Sequence, residues 1–359
     1  MTPLARLIAE EIHAAGPMTV TRFIELALAH PRFGYYRTRD PLGRGGDFIT
    51  APEVSQMFGE MVGLWLAVAW QSLGAPAAFT LAELGPGRGT LMADALRAAH
   101  AQPGFIEAMA LNLVETSPVL RERQAETLGA FTPAFHDRPE TLPDGPILVL
   151  ANEFFDALPV RQLVATAGGW AERCIAATAE GTLGFTTGPI VAGADLPADA
   201  PANPADGSIW ELAPDARGLA RALAERCVGG PGAALIIDYG HGETALGDTL
   251  QAVSRHGYCD PLDDPGNVDL TTHVDFAALA RAADGAGARV FGPVSQGRFL
   301  LALGIAVRAE RLRAAATPKQ ALDIDQGLKR LLAPSEMGNL FKVMAAAAPD
   351  IGPLPGFEP

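Results

Sequence analysis

The chain has 359 residues, 48% of them hydrophobic, enough to bury one large domain with insertions or two domains. Its 41 acidic against 27 basic residues leave a formal charge of −14, which argues against the cationic surface that grips nucleic acid or anionic lipid. Three widely spaced cysteines, Cys174, Cys227 and Cys259, offer neither a disulfide framework nor a CxxC metal site, and fit the reducing cytoplasm of a bacterium.

The opening MTPLARLIAEEIHAAG sets Leu4, Leu7, Ile8 and Ile12 at helical spacing beside paired acids, Glu10 and Glu11, unlike a signal or transit peptide. This helix is expected to end at Gly16-Pro17. A second should run from Thr19 or Thr21 to just before Pro31, and a third should follow Pro52. Between them lies GYYRTRDPLGRGGDFITAPE, rich in glycine and proline yet carrying Tyr35, Tyr36 and Phe48, a composition that points to an ordered functional loop. The apolar run from Met61 to Trp70 falls short of the roughly 20 residues a spanning helix needs, so no membrane insertion is expected.

From Phe79 the runs FTLAELG, LNLVE, FTPAFHD and PILVLANEFFD alternate with the helical segments TLMADALRAAH and SPVLRERQAETLG. Repeated strand, crossover helix and strand predict a parallel sheet with helices on its faces. VRQLVATAGGW and ERCIAATAEGTLGFTTG, over about 160–190, read as antiparallel hairpins, and 191–206 as an exposed connector. The α/β rhythm resumes with a helix near Asp215 to Cys227, the strand AALIIDYG, and last strands in ARVFGPVSQ and RFLLALG. The expected fold class is therefore α/β, with a Rossmann-like core in 76–160, 213–240 and 273–304. Around it are expected a helical N-terminal extension (1–75), a β-rich insertion (161–212), an aperiodic insertion (241–272) and a helical C-terminal region (305–359).

Glu83-Leu84-Gly85-Pro86-Gly87-Arg88-Gly89 ends one strand and opens one helix, where glycines permit a tight turn and let a ligand approach the backbone beside a helix N-terminus. By itself such a turn can be a turn and nothing more. Glu115 closes the next strand with a carboxylate able to accept two ribose hydroxyls, and Asp137 closes the third, beside the usual adenine position of doubly wound folds. A dinucleotide enzyme would prefer G-x-G-x-x-G, which disfavours an NAD-dependent oxidoreductase. A carboxylate at Glu83 would repel phosphates but suits the sulfonium and amino group of S-adenosylmethionine.

These stretches, with GYY at 34–36, GDFITAPEVSQMFGE at 46–60, ELGPGRGTLMAD at 83–94, ETSPVLRERQ at 115–124 and ANEFFDALPV at 151–160, resemble the MidA-like class I methyltransferases. The likeness continues through IDYG at 237–240, HVDF at 273–276 and MGNLFKV at 337–343. That family includes an arginine methyltransferase of mitochondrial complex I assembly. The resemblance implies a class I fold, S-adenosylmethionine as cofactor, and a protein client, such as an arginine of a respiratory NADH dehydrogenase subunit. It implies Glu83, Gly85, Gly87, Gly89, Glu115, Asp137 and Asn152 on the cofactor side, with Asp47 and Tyr36 brought by an N-terminal extension that covers the site.

Asn152, Glu153 and Asp156 should project from the C-terminal end of the fourth strand, where a carboxylate pair can hold a guanidinium. Asp156 also reads as a turn or cap residue before Pro159. His273 reads either as a substrate-loop residue or proton acceptor, or, with Thr271 and Thr272, as a cap for the helix through FAALARAA. Tyr35 and Tyr36 either close over the cofactor or anchor the extension on the core. Asp238, His241 and His256 lack the short spacing of a metal site, and none is expected. The alternative function is a non-catalytic assembly chaperone that keeps the cofactor fold.

Overall fold

A computed structural model describes residues 2–38, 50–254 and 257–358, and in it the continuous apolar runs become the strands of one sheet. They are β1 (Phe79–Leu84), β2 (Met109–Val114), β3 (Ala134–His136), β4 (Ile147–Asn152), β5 (Gly232–His241), β6 (Arg289–Ser295) and β7 (Phe341–Ala347). Their spatial order is β3-β2-β1-β4-β5-β7-β6, with β1 to β5 parallel and β7 antiparallel to both its neighbours. This is the Rossmann-like α/β sheet that the resemblance implies. Every residue of β1 and β4 is buried, as expected of parallel strands covered on both faces.

Helices α1 (Gln56–Ser72), α2 (Thr90–Ala99) and α3 (Pro118–Leu128) flank the first strands. α1 and α2 touch backbone to backbone, since a Cβ on Gly63 would lie 2.1 Å from the Ala95 carbonyl oxygen. Within α1 the buried Glu60 receives Arg308 at 2.7 and 2.9 Å and Arg97 at 3.1 Å. Burial alone would raise its pKa, but the two guanidiniums outweigh that and hold it below the usual carboxylate range.

Two expectations are corrected here. RFLLALG is not a strand: its first five residues lie in a fourth helix, α4 (Gln296–Ala302), capped by the Ser295 hydroxyl, which accepts from the Arg298 amide. Phe299 and Leu300 are buried while Leu301 is exposed, so the run follows a helical rather than an alternating period. The region after Ile305 is helical over Ile305–Ala314 and Pro318–Leu332, but it ends in the strand β7. Alanines in FKVMAAA favour helix locally, yet pairing on both sides and burial of all but Lys342 override that preference.

The second compact unit is drawn from described residues within 1–41, 157–216 and 244–273, and the sheet unit from the rest. In the second unit, helices Pro3–Ala15 and Val20–Ala29 are capped by Thr2 and Thr19 and turn Leu4, Ile8, Ile12, Phe23 and Ile24 into a core shared with Ile175 and Leu270. The hairpin stretches form an antiparallel sheet in the order Met18–Thr19, Gly169–Ala177, Arg161–Thr166, Ile209–Leu212, with Leu183–Ile190 also paired to Gly169–Ala177. The aperiodic insertion carries a small antiparallel sheet of Gln251–Ser254, Gly257–Cys259 and Asp269–Thr271. No helix among the described residues is long and apolar enough to cross a membrane.

Candidate active site

The strand order reverses between β1 and β4, and in an open α/β sheet the ligand crevice lies at the carboxyl ends of the strands flanking that point. After β1, Gly85, Gly87 and Gly89 take φ of +61°, +55° and +80°, a left-handed geometry at alternate residues that only glycine adopts without steric penalty. Glu83, near the end of β1, is 2% exposed, and its Oε2 has no hydrogen-bond partner among the described residues. Burial pushes its carboxyl up to about 8.

Glu115 follows β2 and is held at both oxygens. Oε1 accepts from the Ser117 amide at 2.7 Å, and Oε2 from Gln124 Nε2 at 3.2 Å. Burial raises its pKa, and these hydrogen bonds oppose the rise. Asp137, just past β3, is exposed and sits 2.7 Å from Arg121, a surface pair of small energetic consequence. Asn152 ends β4 with its Nδ2 donating to Glu153 and its buried Oδ1 unpartnered among the described residues. Glu83 Oε2 and Asn152 Oδ1 are thus two buried acceptors at neighbouring strand ends. A ligand rich in donors, such as the amino group and ribose hydroxyls of S-adenosylmethionine, fits that demand.

The loop after β4 begins with Glu153 at φ +51°, left-handed geometry on a residue with a side chain. Its amide donates to the Ile237 carbonyl at 2.9 Å, extending the β4–β5 ladder by one bond. Its Oε1 accepts from the Ala51 amide at 3.1 Å and from Asn152 at 3.2 Å. The residue as a whole is only half-buried, yet its carboxyl is enclosed by protein. That enclosure, with the charge of Asp156 nearby, pushes it up to about 7.

Asp156 is buried, and its amide and that of Phe155 donate to Asp238 Oδ2 at 3.2 and 3.0 Å. Asp238 Oδ1 accepts from the Tyr239 amide at 2.9 Å. Asp238 is fully buried, which raises its pKa well above the ordinary value, and Asp156 and Glu153 raise it further. The structure therefore brings Glu153 and Asp156 together and adds Asp238, which the sequence reading weighed only as a metal ligand. Its signal was its place near the end of a buried strand, in IDYG.

Tyr36 donates its hydroxyl to Asp269 Oδ2 at 3.1 Å and packs edge-on to the buried Tyr35 at 5.2 Å, contacts of the anchoring kind. Asp47, with the rest of residues 46–49, and His256 lie outside the described residues. His273 is half-buried and its amide donates to Thr249 Oγ1 at 2.9 Å. The cap of helix Phe276–Asp284 is Asp275, which accepts from the Ala278 amide at 2.9 Å, and not His273, Thr271 or Thr272. Gln124 escaped the sequence reading as well. Its trace is a polar residue between Leu120 and Leu128 on the buried stripe of α3.

Residues 61–294 match the family described as S-adenosyl-L-methionine-dependent methyltransferase. The chain is 38% identical to the mitochondrial protein arginine methyltransferase NDUFAF7 homologue of Drosophila melanogaster, over 99% of this chain and 88% of that protein. It is 36% identical to the human mitochondrial protein arginine methyltransferase NDUFAF7, over 96% and 83%. A crystal structure of a Burkholderia thailandensis protein bound to S-adenosyl-homocysteine has a TM-score of 0.86 at 31% identity, covering 99% of this chain and 94% of that one. The cytoplasmic placement expected from the sequence does not stand, because these curated relatives are mitochondrial proteins.

Proposed function

We propose a function that starts from one fact: the chain belongs to the S-adenosyl-L-methionine-dependent methyltransferase family, and S-adenosyl-L-methionine is its cofactor. The methyl acceptor is an arginine of a client protein, and a respiratory NADH dehydrogenase subunit is the client to which the family resemblance points. The protein arginine methyltransferases among its relatives support this reading. The observation that carries it is the carboxylate pair Glu153 and Asp156, set next to Asn152 at the end of β4.

Glu83, Gly85, Gly87, Gly89, Glu115, Asp137 and Asn152 hold the cofactor, with the glycine turn giving its backbone and Glu115 its carboxylate to the ribose. When bound, S-adenosyl-L-methionine supplies a methyl group already activated on a sulfonium. The protein's part is then to orient the nucleophile. Glu153 and Asp156 bind the planar guanidinium through charged hydrogen bonds and fix which nitrogen faces the methyl. The attacking nitrogen must shed a proton as its bond to the methyl carbon forms and the carbon–sulfur bond breaks. Glu153, made more basic by burial and by Asp156, is suited to accept it. Tyr36 and Asp47 on the cofactor side and His273 on the acceptor side are assigned by family resemblance alone.

The test is Glu153→Gln, which keeps the shape and removes the charge. Calorimetry should show S-adenosylhomocysteine affinity within about threefold of wild type, while mass spectrometry of client proteins shows a methylarginine lost. No difference at any arginine would remove the acceptor assignment.

A further inference from the structure

We propose that Gln124 is a positioning residue of the cofactor site, which ties the glycine turn to the ribose carboxylate Glu115. The inference rests on the assignment of Glu115 to the cofactor's ribose given above.

Gln124 is fully buried on α3, between Leu120 and Leu128 on the same face. A glutamine there is not chosen for packing, because burying an amide is unfavourable unless its groups are hydrogen-bonded. Its two N–H groups are both engaged. One donates to the Gly87 carbonyl at 2.6 Å and the other to Glu115 Oε2 at 3.2 Å. Its Oε1 has no partner among the described residues, so the donors alone account for the amide.

One side chain therefore links the middle glycine of the turn to the carboxylate after the next strand. The same segment fixes the rest of Glu115. The Ser117 amide holds Oε1, and Arg121 Nε donates to the Glu115 backbone carbonyl at 2.7 Å. The Thr116 amide adds a third hydrogen bond to this carboxylate, and donors on both oxygens fix its orientation, as a group that must face the adjacent hydroxyls of a ribose requires. Without Gln124, Oε2 would lose the hydrogen bond that ties it to α3, and the carboxylate could turn away from the ribose.

The experiment compares the affinities of S-adenosylhomocysteine and its 2′-deoxy analogue by calorimetry, in wild type, Gln124→Met, Gln124→Glu and Glu115→Ala. A positioning role sets their ratio, whereas general damage to the fold weakens both ligands alike. Wild type should prefer the ribose form by about tenfold or more, the effect of a hydrogen bond to a charged group. In Gln124→Met the preference should fall to about threefold or less, with S-adenosylhomocysteine losing most of the affinity. An unchanged preference in that variant overturns the inference. Should Gln124→Met fail to fold, Gln124→Glu is read in the same way, since it sets a carboxylate against two acceptors, and a retained preference overturns the inference there too. A wild type without preference, or a Glu115→Ala variant that keeps it, overturns the ribose assignment and the inference with it.

Discussion

The turn after β1 and the loop after β4 flank the same switch in strand order and both use left-handed backbone, but they place it on opposite kinds of residue. In the turn it falls on Gly85, Gly87 and Gly89, where no Cβ resists it. In the loop it falls on Glu153, where a side chain makes the same geometry cost about 1–2 kcal/mol. A turn that a ligand approaches by its backbone is best stripped of side chains. A loop that must deliver a carboxylate has to keep one, and the strain is held in place by Asp238, which accepts the amides of Phe155, Asp156 and Tyr239.

The comparison breaks most completely at Gly87. Valine there introduces a Cβ into a backbone at φ +55° and into the path of the ligand. Gly87→Val is expected to abolish measurable S-adenosylhomocysteine binding while the circular dichroism spectrum stays close to native. Normal binding would mean that the turn only connects a strand to a helix.

A smaller effect is expected at Asp238, because it acts on the loop and not on the ligand. Asp238→Ala strips three amides of their acceptor, and each that stays buried and unpaired costs about 1–3 kcal/mol. Thermal denaturation should show a lower Tm. At temperatures where the variant is folded, methyl transfer should fall further than S-adenosylhomocysteine affinity. Equal losses in the two would mean that Asp238 supports the sheet as a whole and not the loop in particular.

The two regions also differ in how far they can be read from sequence. The turn is a local motif, its three glycines lie within five residues, and the strands around it are largely apolar runs because the sheet is covered on both faces. The loop's geometry depends on a partner 82 and 83 positions away, and no local pattern announces such a bond. Gln124 is of the same kind, a helix residue whose partners lie in two other segments. RFLLALG and FKVMAAA misled for a different reason. Each is too short and too apolar for periodicity to separate strand from helix, and tertiary burial decided both.

The smallest effect concerns Glu83, where the turn meets the sheet: its Oε2 has no hydrogen bond among the described residues, whereas Glu153 accepts two at its Oε1. Its folded-state value of about 8 lies above the ordinary 4.5, so between those pH values the folded chain holds a proton that the unfolded chain has released. The stability this lends is complete below pH 4.5 and is lost as pH rises through about 8. Glu83→Gln removes the titration. Its stability, measured by denaturant unfolding from pH 5 to pH 8, should therefore fall less steeply than that of wild type, by at most about 1.4 kcal/mol per pH unit. Parallel curves would mean that Glu83 is ionised in the folded chain at neutral pH. In that case a charge stands ready for a cationic ligand, and the proton need not be displaced when the cofactor's amino group arrives.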